Sequence, residues 1–305
     1  MIKSSAALIL VLLTVLGCTA LPGNSQVPND WMNAQSELVQ VSGTQLHLRD
    51  EGEEFAETIL FVHGFGSSLH SWETVSEILR PEFRTISFDL PGFGLSAADS
   101  QNDYTDERTH EIILATMRRR DIETLTIVGH SLGGRIAWTF AAAHPEKVNA
   151  LVLIAPDGYE SPMFRYGRAG RVTPVTRLLV LILPRFAVRW ALDVSYGQTP
   201  PPPETVNRYY SFLRQAHVKA AILERTRQTI LEDPDEILPD VMIPTLLIWG
   251  QQDRIIPPAN VEDYLDALPN ARSVQLAGVG HLPQEETPER VAQLIGEFLA
   301  GRSLQ

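Results

Sequence analysis

The sequence predicts an α/β fold, a mostly parallel sheet with helices on both faces. Three observations in the 305 residues carry this reading. Short β-branched apolar runs alternate with longer helical segments, as parallel strands joined by helical crossovers require. One strand-like run, Leu125 to Val128, leads through Gly129-His-Ser-Leu-Gly133 into an Ala-rich segment from Arg135 to Ala143. After the sixth apolar run the alternation breaks, and only helices and loops follow until it resumes at Thr245.

Glu37 to Val41 and Gln45 to Arg49 alternate around Ser42-Gly43 and read as an opening hairpin. Thr58 to Val62 is a buried strand, followed by His63-Gly-Phe-Gly66 and a helix from about Ser71 to Leu79. Arg84 to Phe88 is the next strand, running into Asp89-Leu-Pro-Gly-Phe-Gly-Leu-Ser96. A helix over Thr105 to Arg119 precedes the Leu125 strand, and Val148 to Ile154 is the sixth strand. The stretch from Gly158 to Asp235 is expected to be a helical cap inserted between residues 37–157 and 236–300 of the core. The strand Thr245 to Trp249, a helix over Asn260 to Leu268, the strand Ser273 to Leu276 and a helix from Pro288 to Leu299 complete the chain.

Gly129-His-Ser-Leu-Gly133 fits the G-x-S-x-G pattern, and its position between strand and helix is what gives the pattern meaning. A strand that turns into a helix within a few residues forces its central residue into strained backbone and leaves no room for side chains at the flanking positions. Ser131 is thereby held at the tip of a turn, beside a helix N-terminus whose free N–H groups favour negative charge. A serine hydroxyl needs a base, and the base an orienting acid. Functional groups on parallel sheets gather beyond the carboxyl ends of strands. That rule selects Asp253, after the Thr245 strand, and His281, after the Ser273 strand; Asp157, after the Ile154 strand, is a rival acid. His130 is expected to point away from the nucleophile and His63 to brace its loop. Gly92 to Ala97 satisfies a dinucleotide-binding pattern, but no helix opens after it to receive a phosphate. No spacing of cysteines or histidines suggests a metal, and no cofactor is expected.

With these segments in this order, the chain from Glu37 to Leu299 resembles the α/β-hydrolase family of serine hydrolases. His63-Gly-Phe-Gly66 resembles its oxyanion loop and Asp89 to Ser96 its D-x-P-G-x-G-x-S segment. The resemblance implies a catalytic triad of Ser131, Asp253 and His281, and an oxyanion hole made by the backbone N–H groups of Phe65 and Leu132. It favours Asp253 over Asp157, because the flanks of Asp253 match. A serine at the turn points to acyl transfer, since relatives that open epoxides or displace halides carry aspartate there. The cap, including Tyr209-Tyr-Ser-Phe-Leu213, is similar to those of bacterial monoacylglycerol-lipase-like esterases. The expected activity is hydrolysis of medium-acyl or monoacylglycerol-type esters. The alternatives are a carbon–carbon bond hydrolase of the meta-cleavage-product type and a non-catalytic lipid-binding member of the fold.

The first residues carry a separate message. Lys3 precedes the apolar run Ala6 to Leu16, too short to span a bilayer and suited to a signal peptide over residues 1–17. Val15-Leu-Gly-Cys18 resembles a bacterial lipobox, which implies lipidation at Cys18, a tether over residues 18–36 and membrane attachment in a bacterial cell envelope. Cys18 is the single cysteine, so no internal disulfide forms.

The net charge of −12 excludes a general nucleic-acid binder. The charge is uneven: from Tyr159 to Glu232 there are eleven Lys and Arg against five Asp and Glu, a net of +6 that leaves −18 elsewhere. Arg165, Arg168 and Arg171 form the densest basic group. Arg177 to Leu183 is apolar on every face, which predicts either the core of the cap, an acyl pocket wall or contact with lipid.

Overall fold

The computed structural model describes residues 31–161 and 164–301. An eight-stranded sheet runs in the order β1-β2-β4-β3-β5-β6-β7-β8. Its strands are β1 (Ser36–Val41), β2 (Thr44–Glu51), β3 (Thr58–Val62), β4 (Arg84–Phe88), β5 (Leu125–His130), β6 (Val148–Ile154), β7 (Thr245–Gly250) and β8 (Ala271–Leu276). β2 pairs antiparallel with β1 and β4, and every other pairing is parallel. Strands β3 to β7 are buried at every position except Asn149, as a sheet covered on both faces demands.

The two covering layers differ in content. One apolar core packs α2 (Asp106–Arg119), α3 (Leu132–Ala143) and α9 (Asn260–Ala267) on the sheet through Ile112, Ile136, Trp138 and Tyr264. The other packs α1 (Glu73–Leu79) and α11 (Pro288–Leu299) through Trp72, Val75, Val291 and Ile295. Thr105 caps α2 by accepting the Arg108 N–H at 3.2 Å.

Between β6 and β7 lie α4 (Pro174–Ile182), α5 (Arg185–Ser195), α6 (Pro203–Leu213), α7 (Ala216–Gln228) and the short α8 (Pro234–Ile237). α5 and α6 share a small apolar core of Val188, Leu192, Val206 and Tyr209. α7 is held by a buried guanidinium: Arg225 reaches Asp106 at 3.4 Å and Thr109 at 3.2 Å on α2. Burial pulls Arg225 down to about 10 despite the neighbouring Asp106. Of the alternatives open for Arg177 to Leu183, the core of the cap is the one the structure does not bear out. α4 has no buried residue, and only Val180 and Leu183 are packed against apolar neighbours.

Boundaries shift where local geometry overrides pattern. The helix read from Arg135 begins at Leu132, directly after the serine. The helix read from Ser71 is a 3-10 turn over Leu69–Trp72 followed by α1. The short α10 (Pro283–Glu286), after His281, has no apolar period long enough to read.

Candidate active site

The strand order reverses between β3 and β5, so their connections leave in opposite directions and open a crevice at their carboxyl ends. The loop after β3 and the turn after β5 meet there. Ser131 sits between β5 and α3 with φ 53° and ψ −119°, a left-handed conformation rare for a side-chain-bearing residue. The glycines around it are sterically required. A Cβ at Gly129 would lie 2.1 Å from the Gly133 carbonyl oxygen, and one at Gly133 would lie 2.2 Å from that of Val62. The turn is fastened from outside: Ser131 N–H donates to Ile154 O at 3.0 Å, and Ser131 O accepts from Asp157 N–H at 3.0 Å.

The structure brings Asp253 and His281 together. Asp253 Oδ2 lies 2.7 Å from His281 Nδ1, and its Oδ1 accepts the N–H groups of Ile255 at 2.7 Å and Ile256 at 2.9 Å. Both side chains are nearly buried. With the carboxylate fixed by two backbone donors, Nδ1 carries the imidazole proton and Nε2 keeps its lone pair. Asp157 is engaged elsewhere, its Oδ2 accepting from Arg135 at 2.7 Å. Ser131 Oγ makes no hydrogen bond among the described residues.

His130 and His63 support loops. His130 Nε2 donates to the His281 carbonyl at 2.7 Å, tying the turn to the His281 loop. Burial, with His281 nearby, lowers the pKa of His130 well below the usual histidine range and keeps it neutral. His63 Nδ1 donates to Gly64 O at 2.8 Å and Nε2 accepts from Leu90 N–H at 2.9 Å, bridging the β3 and β4 loops. Phe65 stacks edge-on against Phe93 with its ring half-exposed. Leu132 is the first residue of α3, where backbone N–H groups lack an intrahelical acceptor.

Several supports escaped the sequence reading. Asp89, fully buried, accepts from Leu69 N–H at 2.7 Å, Leu95 N–H at 2.7 Å and His47 Nδ1 at 2.8 Å. Burial would raise its pKa, but the His47 hydrogen bond and the histidines around it hold it at about 2. This carboxylate folds the Asp89 to Ser96 segment around itself; a Cβ at Gly94 would lie 2.1 Å from its Oδ2. The pattern D-x-P-G-x-G-x-S signals the turn, whereas its partner His47, 42 positions away in sequence, leaves no local sign.

The inserted helices are sewn to the His281 loop. Ser195 O accepts from His281 N–H at 2.6 Å, and Gln198 N–H donates to Gly278 O at 2.8 Å. Glu286 accepts from the N–H groups of Gly197 at 2.8 Å and Gly280 at 2.9 Å. Tyr209 of α6 donates to Glu285 at 2.7 Å and meets Ser67 Oγ at 3.0 Å, linking α10 to the loop after β3. Lone Glu and Tyr residues on helices carry no period that would have singled them out.

Residues 57–288 match the family described as alpha/beta hydrolase fold. The chain belongs to that family. It is 27% identical over 296 residues to Lipase 1 of Psychrobacter immobilis, covering 92% of each chain. It is 30% identical over 271 residues to a 2-hydroxymuconate semialdehyde hydrolase of Pseudomonas putida, covering 86% of this chain and 93% of that one. Among solved structures, a membrane phospholipase A described as a bacterial virulence factor is 29% identical with a TM-score of 0.73, over 87% and 86% of the two chains. The α/β-hydrolase fold expected from the sequence is therefore the fold observed, and the protein is a hydrolase of this family.

Proposed function

We propose that the protein is a serine hydrolase of carboxylic esters, acting on medium-acyl or monoacylglycerol-type substrates through an acyl-enzyme. The observation that carries this reading is the strained Ser131 at the β3/β5 crevice, with the Asp253–His281 pair tied to the same turn through His130 Nε2 and the His281 carbonyl. In this mechanism Nε2 of His281 takes the Ser131 proton as Oγ attacks the ester carbonyl, and Asp253 stabilises the imidazolium. The N–H groups of Phe65 and Leu132 receive the oxyanion, each contributing about 3 kcal/mol to the transition state. His281 then protonates the leaving alcohol, and a water activated by the same imidazole releases the acid. No metal or cofactor takes part.

The ester reading draws on the 27% identity with a lipase over nearly the full chain. The second reading, cleavage of a carbon–carbon bond in a meta-cleavage product, draws on the 30% identity with the 2-hydroxymuconate semialdehyde hydrolase. Parallel assays separate them. A series of p-nitrophenyl esters and monoacylglycerols of rising chain length should give turnover orders of magnitude above that on a 2-hydroxy-6-oxo-dienoate. The reverse order would favour the second reading.

The proposed location is the cell envelope of a bacterium, with the protein held by lipid on Cys18. This rests on the sequence of residues 1–18, which lie outside the described residues. Among the described residues no helix is long and apolar enough to cross a membrane.

A further inference from the structure

α4 presents a problem that the rest of the fold does not solve. A run as apolar as Leu178 to Ile182 is ordinarily buried, yet α4 has no buried residue. Val175, Leu178, Leu181 and Ile182 are exposed on it, and Phe186 and Trp190 are exposed on α5, which begins three residues after α4 ends. Ile182 and Phe186 are 63% and 68% exposed, values foreign to large apolar side chains in a folded core. Large apolar side chains exposed in this number on two consecutive helices mark a surface that something covers.

The charges around it identify the occupant. Arg171 precedes the helix, Arg177 lies on it, and Arg185 opens α5; all three are exposed, and none forms an ion pair among the described residues. Arg168, five positions before Thr173, the N-cap of α4, is likewise exposed and without an ion pair among the described residues, whereas Arg165 is neutralised by Glu160. Two copies meeting through this face would set arginine against arginine, which disfavours a self-interface. An anionic lipid surface satisfies both features, since each basic side chain gains attraction and the apolar side chains enter the acyl boundary.

We infer that α4 and the first half of α5 form a docking face for an anionic membrane surface, with the apolar side chains inserted and Arg168, Arg171, Arg177 and Arg185 at the headgroups. The face stands apart from the hydrolytic machinery, and the inference holds whichever bond the site cuts. Its placement suits a substrate drawn from lipid. From Phe186 to Ser195, whose carbonyl receives the His281 N–H, α5 spans only about 14 Å.

Trp190 supplies the test in the full chain, whatever residues 1–30 contribute to attachment. The protein is mixed with vesicles of phosphatidylcholine brominated on the acyl chains, with and without phosphatidylglycerol. Bromine quenches only indoles that reach the acyl region. We expect quenching with phosphatidylglycerol present that is lost in Trp190→Phe, and that weakens with salt. Each Arg→Gln change at 168, 171 or 177 is expected to lower the ratio of docked to undocked cap about fivefold. Leu178→Asp with Ile182→Asp is expected to abolish the Trp190 quenching while turnover of a small soluble ester is kept. Equal quenching in wild type and Trp190→Phe would overturn the inference, as it would if a second copy or the chain's own first residues covered the face. Equal Trp190 quenching on neutral and anionic vesicles would also overturn it.

Discussion

Replacing Asp253 by Asn keeps the side chain's shape and changes what it shows to His281. Asp253 Oδ1 accepts two backbone N–H groups, from Ile255 and Ile256, while Oδ2 lies 2.7 Å from His281 Nδ1. An asparagine satisfies those donors only with its carbonyl oxygen, so its NH2 group turns toward Nδ1. A donor at that position selects the imidazole tautomer protonated on Nε2. That tautomer has no lone pair on Nε2 and cannot accept the hydroxyl proton of the proposed nucleophile. Losses near 10⁴-fold accompany a wrong tautomer in a serine triad, about 5 kcal/mol on the barrier. The fold should persist, because both backbone donors keep an acceptor. The assay is kcat/KM on a soluble p-nitrophenyl ester together with the melting temperature. Asp157→Asn is the control: its carboxylate bonds Arg135, so turnover should stay within about tenfold. Asp253→Asn within tenfold of wild type, or Asp157→Asn matching its loss, would refute the reasoning.

Further outcomes follow from the same geometry. Gly129→Ala places a Cβ 2.1 Å from a backbone oxygen, and should destabilise the protein by about 3 kcal/mol in urea unfolding; unchanged stability would mean the turn is loose. Burial lowers His70 from 6.5 to about 4, with Asp89 opposing, so the folded state keeps it neutral where the unfolded chain takes a proton. Its contribution is complete above pH 6.5 and is lost as pH falls toward 4, about 2 kcal/mol between pH 7 and pH 5. Urea titrations should show that loss reduced in His70→Gln, and an equal loss in both proteins would contradict it. Cys18→Ser should remove detergent-phase partitioning and any acyl mass; unchanged partitioning would mean attachment without lipidation.

The fold was legible because its signals are local. β3, β4 and β6 appear at the boundaries read from their apolar runs, and the glycines at 129 and 133 announce a turn whose steric need the structure displays. Asp253 and His281 were findable because parallel strands deliver loop residues to one edge of the sheet. The remainder depends on contacts between distant residues. Nothing near His47 points to Asp89, and nothing near Ser195 points to the His281 N–H. α4 illustrates the opposite failure. Its apolar pattern was plain, but pattern reports what a helix avoids, not what covers it, and of the alternatives it left open, burial in the core of the cap is absent.

The central claim is that Ser131 is the nucleophile. Incubation with a fluorophosphonate, followed by intact mass and peptide mapping, tests it directly. The account predicts one adduct per chain, on the peptide containing Ser131, lost in Ser131→Ala while the melting temperature stays within a few degrees. An adduct on another residue, or labelling that persists in Ser131→Ala, would contradict it.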